Sequence, residues 1–78
     1  MKIHWIDRQR SLNHRLEVLN DRTAYTITDT RSNRIQEEFE SIGDDGFEYL
    51  SDLWLERKSE YHDRERKRLN FVEQDETI

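Results

Sequence analysis

Residues 36–56 read QEEFESIGDDGFEYLSDLWLE, a segment with eight carboxylates and no lysine or arginine. The acids are Glu37, Glu38, Glu40, Asp44, Asp45, Glu48, Asp52 and Glu56. Apolar residues are interleaved with them, and we expect these to close the core: Phe39, Ile42, Phe47, Leu50, Leu53 and Trp54. The segment is therefore predicted both to cover the core and to form the most anionic surface of the protein.

The composition indicates one small domain. A chain of 78 residues buries only about 60% of its unfolded surface. With 32% apolar and 40% charged residues, it lies near the border between a thin-cored domain and a chain that orders on meeting a partner. An aromatic content of 10% favours folding. We expect an α+β domain over residues 1–72, with a small antiparallel meander of about four strands followed by one long C-terminal helix packed on one face, and a flexible acidic tail at 73–78. A homodimer or a partner could complete this domain.

Cysteine is absent, which excludes a disulfide framework and a zinc–thiolate site. The sequence MKIHWID at the start lacks the apolar run of a signal peptide, and no run of 18 apolar residues occurs anywhere. These features predict a soluble, cytoplasmic protein that does not contact a membrane.

The charge is unevenly distributed. The net charge is −5, yet residues 1–35 carry +3, residues 36–56 carry −8, and residues 57–78 are neutral. Such asymmetry bears on which partners the protein attracts rather than on how it folds.

The first half of the chain predicts strands. Alternation from Lys2 to Ile6 indicates a first strand, and residues 7–14 are expected to form a turn or broad loop. Leu16 and Val18 indicate a second strand, and the run TAYTIT at 23–28 indicates a third. Residues 34–39 also alternate, which favours a fourth strand, although their glutamates are also compatible with a helix start.

The second half predicts one long helix. The breaker Gly43-Asp44-Asp45-Gly46 precedes it, so the helix is expected to begin near Phe47, capped by either aspartate. Residues spaced for one helix face follow it: Phe47, Leu50, Trp54 and Tyr61. From residue 56 to 68 Tyr61 is the only apolar residue, so the C-terminal half of the helix is expected to project into solvent or against a partner. Two i,i+4 ion pairs are predicted there, Glu60 with Arg64 and Asp63 with Lys67.

Candidate catalytic groups are few. His4, His14 and His62 could serve as acid–base groups or metal ligands, and His4 and His14 could be cross-strand neighbours. None has the spacing of a metal motif, and no nucleophile elbow or phosphate-binding glycine loop occurs. A 78-residue chain also leaves little interior for a pocket that shifts carboxyl pKa values. We expect a protein that is not an enzyme and needs neither cofactor nor metal.

Two local motifs have competing interpretations. Asp44-Asp45-Gly46 resembles part of a calcium loop, but the EF-hand spacing fails and helix capping is favoured. The basic residues of the helix could bind nucleic acid, yet interleaved acids and an acidic pI favour a solvated, salt-bridged helix. These bases are Arg57, Lys58, Arg64, Arg66, Lys67 and Arg68.

The acidic segment also has two interpretations. The helix dipole favours acids at a helix start, which accounts for Asp44, Asp45 and Glu48. It does not account for the absence of any base from residue 36 to 56. Uncompensated negative charge resembles that of nucleic acid and would steer the chain to a basic groove.

In length, acidity, lack of cysteine and element order, the chain resembles the small inhibitors that phages make against host nucleic-acid enzymes, anti-CRISPR proteins included. The resemblance rests on no motif, so no residue role is carried over. It implies a phage-encoded inhibitor that acts in the host cytoplasm.

The leading hypothesis is thus a non-enzymatic inhibitor or regulator whose acidic surface occupies the basic nucleic-acid-binding site of a larger protein. One alternative is a nucleic-acid-binding transcriptional regulator that uses the basic helix. Another is an accessory subunit of an oligomer.

Overall fold

The computed structural model describes the backbone of residues 1–76 and the side chains of residues 1–69. Over this range, four antiparallel strands form one sheet in the order β1-β2-β3-β4, followed by one helix. The elements are β1 Lys2–Asp7, β2 Leu12–Val18, β3 Arg22–Asp29, β4 Ile35–Ile42 and α1 Gly43–Glu76. The predicted α+β meander with a C-terminal helix on one face is confirmed. The tail predicted at 73–78 lies outside the residues whose side chains are described and stays a prediction.

Two of the strand connections are built in the same way. Oδ1 of Asp7 accepts hydrogen bonds from the backbone N–H groups of Gln9 and Arg10, and Asp29 does the same two and three residues ahead. Each turn ends four residues after its aspartate in a left-handed residue, Ser11 with φ 56° and Asn33 with φ 60°. An aspartate that bonds its own backbone in this way closes a short turn without glycine.

The second strand begins earlier than the sequence predicted. Residues 12–14 were expected in a loop, but β2 starts at Leu12, directly after the Asp7 turn. The inward alternation Leu12, His14, Leu16 is regular, with an imidazole in place of an apolar side chain. Histidine is accepted there because its ring stacks on Trp5 at 4.0 Å and bonds to the phenol of Tyr25.

The core lies between one face of the sheet and α1. Its buried apolar members are Trp5, Leu16, Tyr25, Ile27, Leu50, Trp54 and Tyr61. The helix is anchored to β2 by a hydrogen bond of 3.1 Å from Nε1 of Trp54 to the backbone oxygen of His14. The predicted helix stripe is therefore correct in Leu50, Trp54 and Tyr61.

Two of the expected core residues lie outside it. Ile42 is 79% exposed, because β4 directs Phe39 and Ser41 toward the helix and Ile42, opposite Arg22, to the open face. Phe47 is 41% exposed at the start of the helix. Phe39 and Leu53 are partly buried against the core.

The helix also begins earlier than predicted, at Gly43 rather than near Phe47. Gly43 has φ 79°, a conformation that turns the chain out of β4 and that other residues rarely adopt. Asp44 and Asp45 occupy the first turn, where the helix dipole favours carboxylates. Among the described residues, no backbone N–H donates a hydrogen bond to the carboxylate of either aspartate. The two residues therefore act through their charge and do not form the predicted cap.

Two residues in the C-terminal half of α1, Tyr61 and Arg64, contact β1. Tyr61 stacks on Trp5 with ring centroids 5.4 Å apart, and Nη2 of Arg64 lies 2.8 Å from Oδ2 of Asp7. The predicted pairs Glu60–Arg64 and Asp63–Lys67 are therefore wrong: Arg64 bonds to the buried Asp7 instead, and Asp63 lies 3.9 Å from Arg66. Over the described range, no helix is long and apolar enough to cross a membrane.

Candidate functional site

The eight acids of residues 36–56 lie in three places. Glu37 faces α1 and forms an ion pair of 2.9 Å with Arg57. Glu38 and Glu40 lie on the open face of the sheet, and Glu40 pairs with Arg22 at 3.0 Å. Five acids belong to α1: Asp44, Asp45, Glu48, Asp52 and Glu56. The predicted acidic surface is thus divided by the sheet, and only its helical part is continuous.

The continuous part follows helix geometry. The acidic positions 45, 48, 52 and 56 are spaced i, i+3, i+7 and i+11, which places them on one side of a helix. All four are exposed, whereas Leu50 and Trp54, on the opposite side, are buried. None of the four has an ion-pair partner within the part of the chain whose side chains are described.

Two large apolar side chains lie among these acids. Tyr49 is 64% exposed and Leu55 is 53% exposed. They follow the spacing of the acids on either side of position 52, so they border the same surface. We call these six residues the outer helix face: Asp45, Glu48, Tyr49, Asp52, Leu55 and Glu56.

The alternative basic face is largely used within the fold. Arg57 pairs with Glu37, and its guanidinium carbon lies 5.7 Å from the ring centre of Tyr25 and 5.5 Å from that of Phe39. Arg64 bonds to Asp7, and Arg66 and Arg68 pair with acids one turn earlier. The ammonium of Lys58 lies 5.4 Å from the ring centre of Trp54. Of the six bases, only Lys67 has neither an ion pair nor a cation–π contact among the described side chains.

His14 is the most perturbed titratable group. Burial lowers the pKa of its imidazole from 6.5 to about 4, so the ring is neutral at pH 7. Its Nδ1 shares a hydrogen bond of 2.6 Å with the hydroxyl of Tyr25, and burial raises the pKa of that phenol. Nε2 has no partner among the described residues.

The histidines are not assembled into a metal site. His14 faces the core, whereas His4 pairs with Arg15 in the ladder and lies exposed on the opposite face of the sheet. The suggested cross-strand pairing of His4 with His14 is therefore wrong. The register pairs His14 with Trp5, one position further along β1, so the two imidazoles lie on opposite faces of the sheet. Within the described residues, no group of three potential ligands is close enough to hold a metal ion.

A cleft of about 430 Å³ opens between α1 and the sheet beside His14. Its charged walls consist mainly of two ion pairs, Asp7 with Arg64 and Glu37 with Arg57. Burial raises the pKa of Asp7, but the hydrogen bonds from Arg64 and from the backbone of Arg10 outweigh it, and the net pKa is below 3.8. The carboxylate of Asp7 is thus held ionised by Arg64 and by these backbone donors. The arrangement fastens the helix to the sheet.

The sequence reasoning did not identify Asp7, His14, Arg57 and Arg64 as structural partners. The similar turns after Asp7 and Asp29 could have shown that β2 starts at Leu12. Strand alternation would then have placed His14 in the core. The pairing of Arg57 and Arg64 with the sheet had no local signal, because their partners lie 20 and 57 positions away.

No known protein family, curated protein or solved structure matches this chain.

Proposed function

We propose that this chain is a non-enzymatic binding protein that attaches to a basic surface of a larger protein through the outer helix face. The observation that carries the proposal is the row of four exposed acids without ion-pair partners among the described side chains, bordered by Tyr49 and Leu55. Carboxylates give long-range attraction to a basic groove. Exposed aromatic and aliphatic side chains supply the short-range contacts that dominate binding energy.

This row of acids does not stabilise the helix. Glu48 with Asp52 and Asp52 with Glu56 are like-charge neighbours at i,i+4, and each such pair destabilises a helix by about 0.2–0.5 kcal/mol. The helix dipole offsets this only in the first turn, and Asp52 and Glu56 lie beyond it. Retaining a repulsive row beside exposed apolar groups supports a role in binding.

The preferred partner is a protein that itself binds nucleic acid. Carboxylates about one helical turn apart present repeated negative charge, which a groove that holds phosphates would accept. This is the partner class of the phage inhibitors that the chain resembles, and a cytoplasmic location accompanies that proposal. The basic helix supports direct nucleic-acid binding less well, because four of its six bases are in ion pairs within the chain.

A pull-down tests this proposal. Tagged chain is incubated with a lysate of the cells in which the chain acts, with and without nuclease, and eluted with a salt gradient. The double variant Asp52→Lys and Glu56→Lys is compared with Glu38→Lys and Glu40→Lys, which changes the net charge equally on the open face of the sheet.

The proposal expects a protein that is retained after nuclease, released by moderate salt, and lost with the helix variant alone. Recovery of nucleic acid, with all partners lost after nuclease, would contradict it. Equal loss of the partner with both double variants would also contradict it, because binding would then follow net charge rather than the outer helix face.

A further inference from the structure

The edge of the sheet at β1 exposes backbone hydrogen-bonding groups. The backbone N–H of Val18 donates to the carbonyl of Met1 at 2.8 Å, so these two residues form a hydrogen-bonded pair of the β1–β2 ladder. In an antiparallel ladder such pairs alternate with pairs whose N–H and C=O groups point away. By this alternation Lys2, His4 and Ile6 direct both groups outward from the open edge.

The opposite edge of the sheet, strand β4, carries charges of the same sign, whereas β1 does not. The same alternation, counted from the bond between Gly43 and Asp21, directs the backbone groups of Glu38, Glu40 and Ile42 outward from β4. If β4 met a second β4, glutamates would face one another across the junction, which is unfavourable. In β1 the charged residues are of opposite sign and lie at opposite ends, Lys2 and Asp7.

The helix covers only one end of β1. Its contacts to this strand lie at Trp5 and Asp7, through Tyr61 and Arg64. Ile3, on the same face of the sheet, remains 37% exposed. Beyond Arg64 the helix continues to Glu76, and Leu69 on this continuation is 51% exposed.

We propose that two copies of this chain pair antiparallel through β1, with the two-fold axis at His4. In this register the outward groups of His4 bond to those of the second His4, and Lys2 lies opposite Ile6. Asp7 of each copy then lies beside Met1 of the other, so the helix that crosses above Asp7 comes next to the uncovered Ile3 of the second copy. Pairing joins the two sheets into one of eight strands and covers the exposed apolar end of each β1. The inference is independent of the proposed function.

A cross-linking experiment tests the register, since the chain has no cysteine of its own. Residues facing each other in a hydrogen-bonded antiparallel pair have Cα atoms about 5.5 Å apart, within the range a disulfide accepts. The variant His4→Cys should therefore form a covalent dimer in oxidised glutathione. In the matched variant Lys2→Cys the two sulfur-bearing residues are about 13 Å apart along the strands, and no covalent dimer should form above background.

Sedimentation equilibrium tests the dimer itself against the 9.7 kDa of one chain. Proline in place of His4 removes an outward N–H and should leave the β1–β2 ladder intact, so His4→Pro should be a folded monomer. The control Glu38→Pro makes the same change at the β4 edge and should remain a dimer. Circular dichroism and tryptophan fluorescence confirm that each variant is folded.

Three results would overturn this inference. One is a monomeric wild-type chain at about 1 mM, the weak end of measurable affinity. Another is a dimer of unchanged stability in folded His4→Pro, which would place the contact elsewhere. The third is equal cross-linking of the His4→Cys and Lys2→Cys variants. A monomer would leave the β1 edge available to a strand of another protein.

Discussion

Nη2 of Arg64 donates a hydrogen bond of 2.8 Å to Oδ2 of Asp7, across 57 positions of the sequence. The carboxylate is almost completely buried, and its other oxygen accepts two backbone N–H groups from the turn that follows β1. One side chain thus closes the first hairpin and receives the far part of the helix. The helix position over β1 therefore depends on a residue that also shapes the sheet.

Removing this arginine should be costly. Arg64→Met leaves the Asp7 carboxylate buried with only its backbone donors, and we expect a loss of about 2–3 kcal/mol in the free energy of unfolding. The measurement is urea denaturation followed by tryptophan fluorescence. Arg66→Met is the matched control: its pair with Asp63 is exposed and 3.9 Å long, so it should cost less than about 0.5 kcal/mol. Equal losses would show that the Asp7 contact has no special role.

Stability should fall in mild acid because of His14. Its pKa is about 4 in the folded chain and about 6.5 when unfolded, so the unfolded state binds more protons between these values. The free energy of unfolding should therefore be highest above pH 6.5 and should fall by about 3 kcal/mol as the pH falls toward 4. Unfolding free energies from pH 7 to pH 4.5 measure it. The slope between pH 6.5 and 5 should disappear in His14→Gln and persist in His62→Gln, which replaces an exposed imidazole; a persisting slope in His14→Gln would contradict this.

Local patterns predicted the order and type of the elements. The alternation at TAYTIT and the helical spacing of Leu50, Trp54 and Tyr61 depend on burial of one face, so both are visible in the sequence. The start of β2 was not visible in the sequence, because Asp7 closes its turn through hydrogen bonds to the backbone and His14 replaces an apolar residue. The division of the acidic surface required the structure to show that residues 35–42 form a strand rather than a helix start. Alternation along that strand then places Glu38 and Glu40 on the face opposite Phe39.

Gly43 should be difficult to replace. Its φ of 79° disfavours any residue with a Cβ by about 1–2 kcal/mol, and an alanine recovers part of this through a less flexible unfolded chain. Gly43→Ala should therefore destabilise by about 1 kcal/mol although alanine is the best helix former. Ser59→Ala, at an exposed position inside α1, should instead be neutral or stabilising by up to about 0.5 kcal/mol. Thermal unfolding of both variants measures the difference; stabilisation by Gly43→Ala would show that the turn into α1 does not need this backbone conformation.

Repulsion between the acids of the outer helix face should lower the stability of the helix. Asp52→Lys replaces two like-charge neighbours by pairs with Glu48 and Glu56, and we expect a gain of about 0.5–1 kcal/mol. Asp52→Asn removes the repulsion without adding attraction and should gain about half as much. Urea denaturation at low salt measures both. A destabilised Asp52→Lys would mean that the row of acids serves the fold, which would remove the main support for a binding role.

The rate of association with the captured partner tests the central claim most directly. Stopped-flow mixing at low and high salt should show a fast rate that falls steeply with salt for the wild-type chain. Asp52→Lys with Glu56→Lys should slow association at low salt by at least about tenfold, since steering changes such rates by factors of 10 to 1000. Glu38→Lys with Glu40→Lys should have a much smaller effect. An unchanged rate at low salt in the helix variant, with folding intact, would contradict the account.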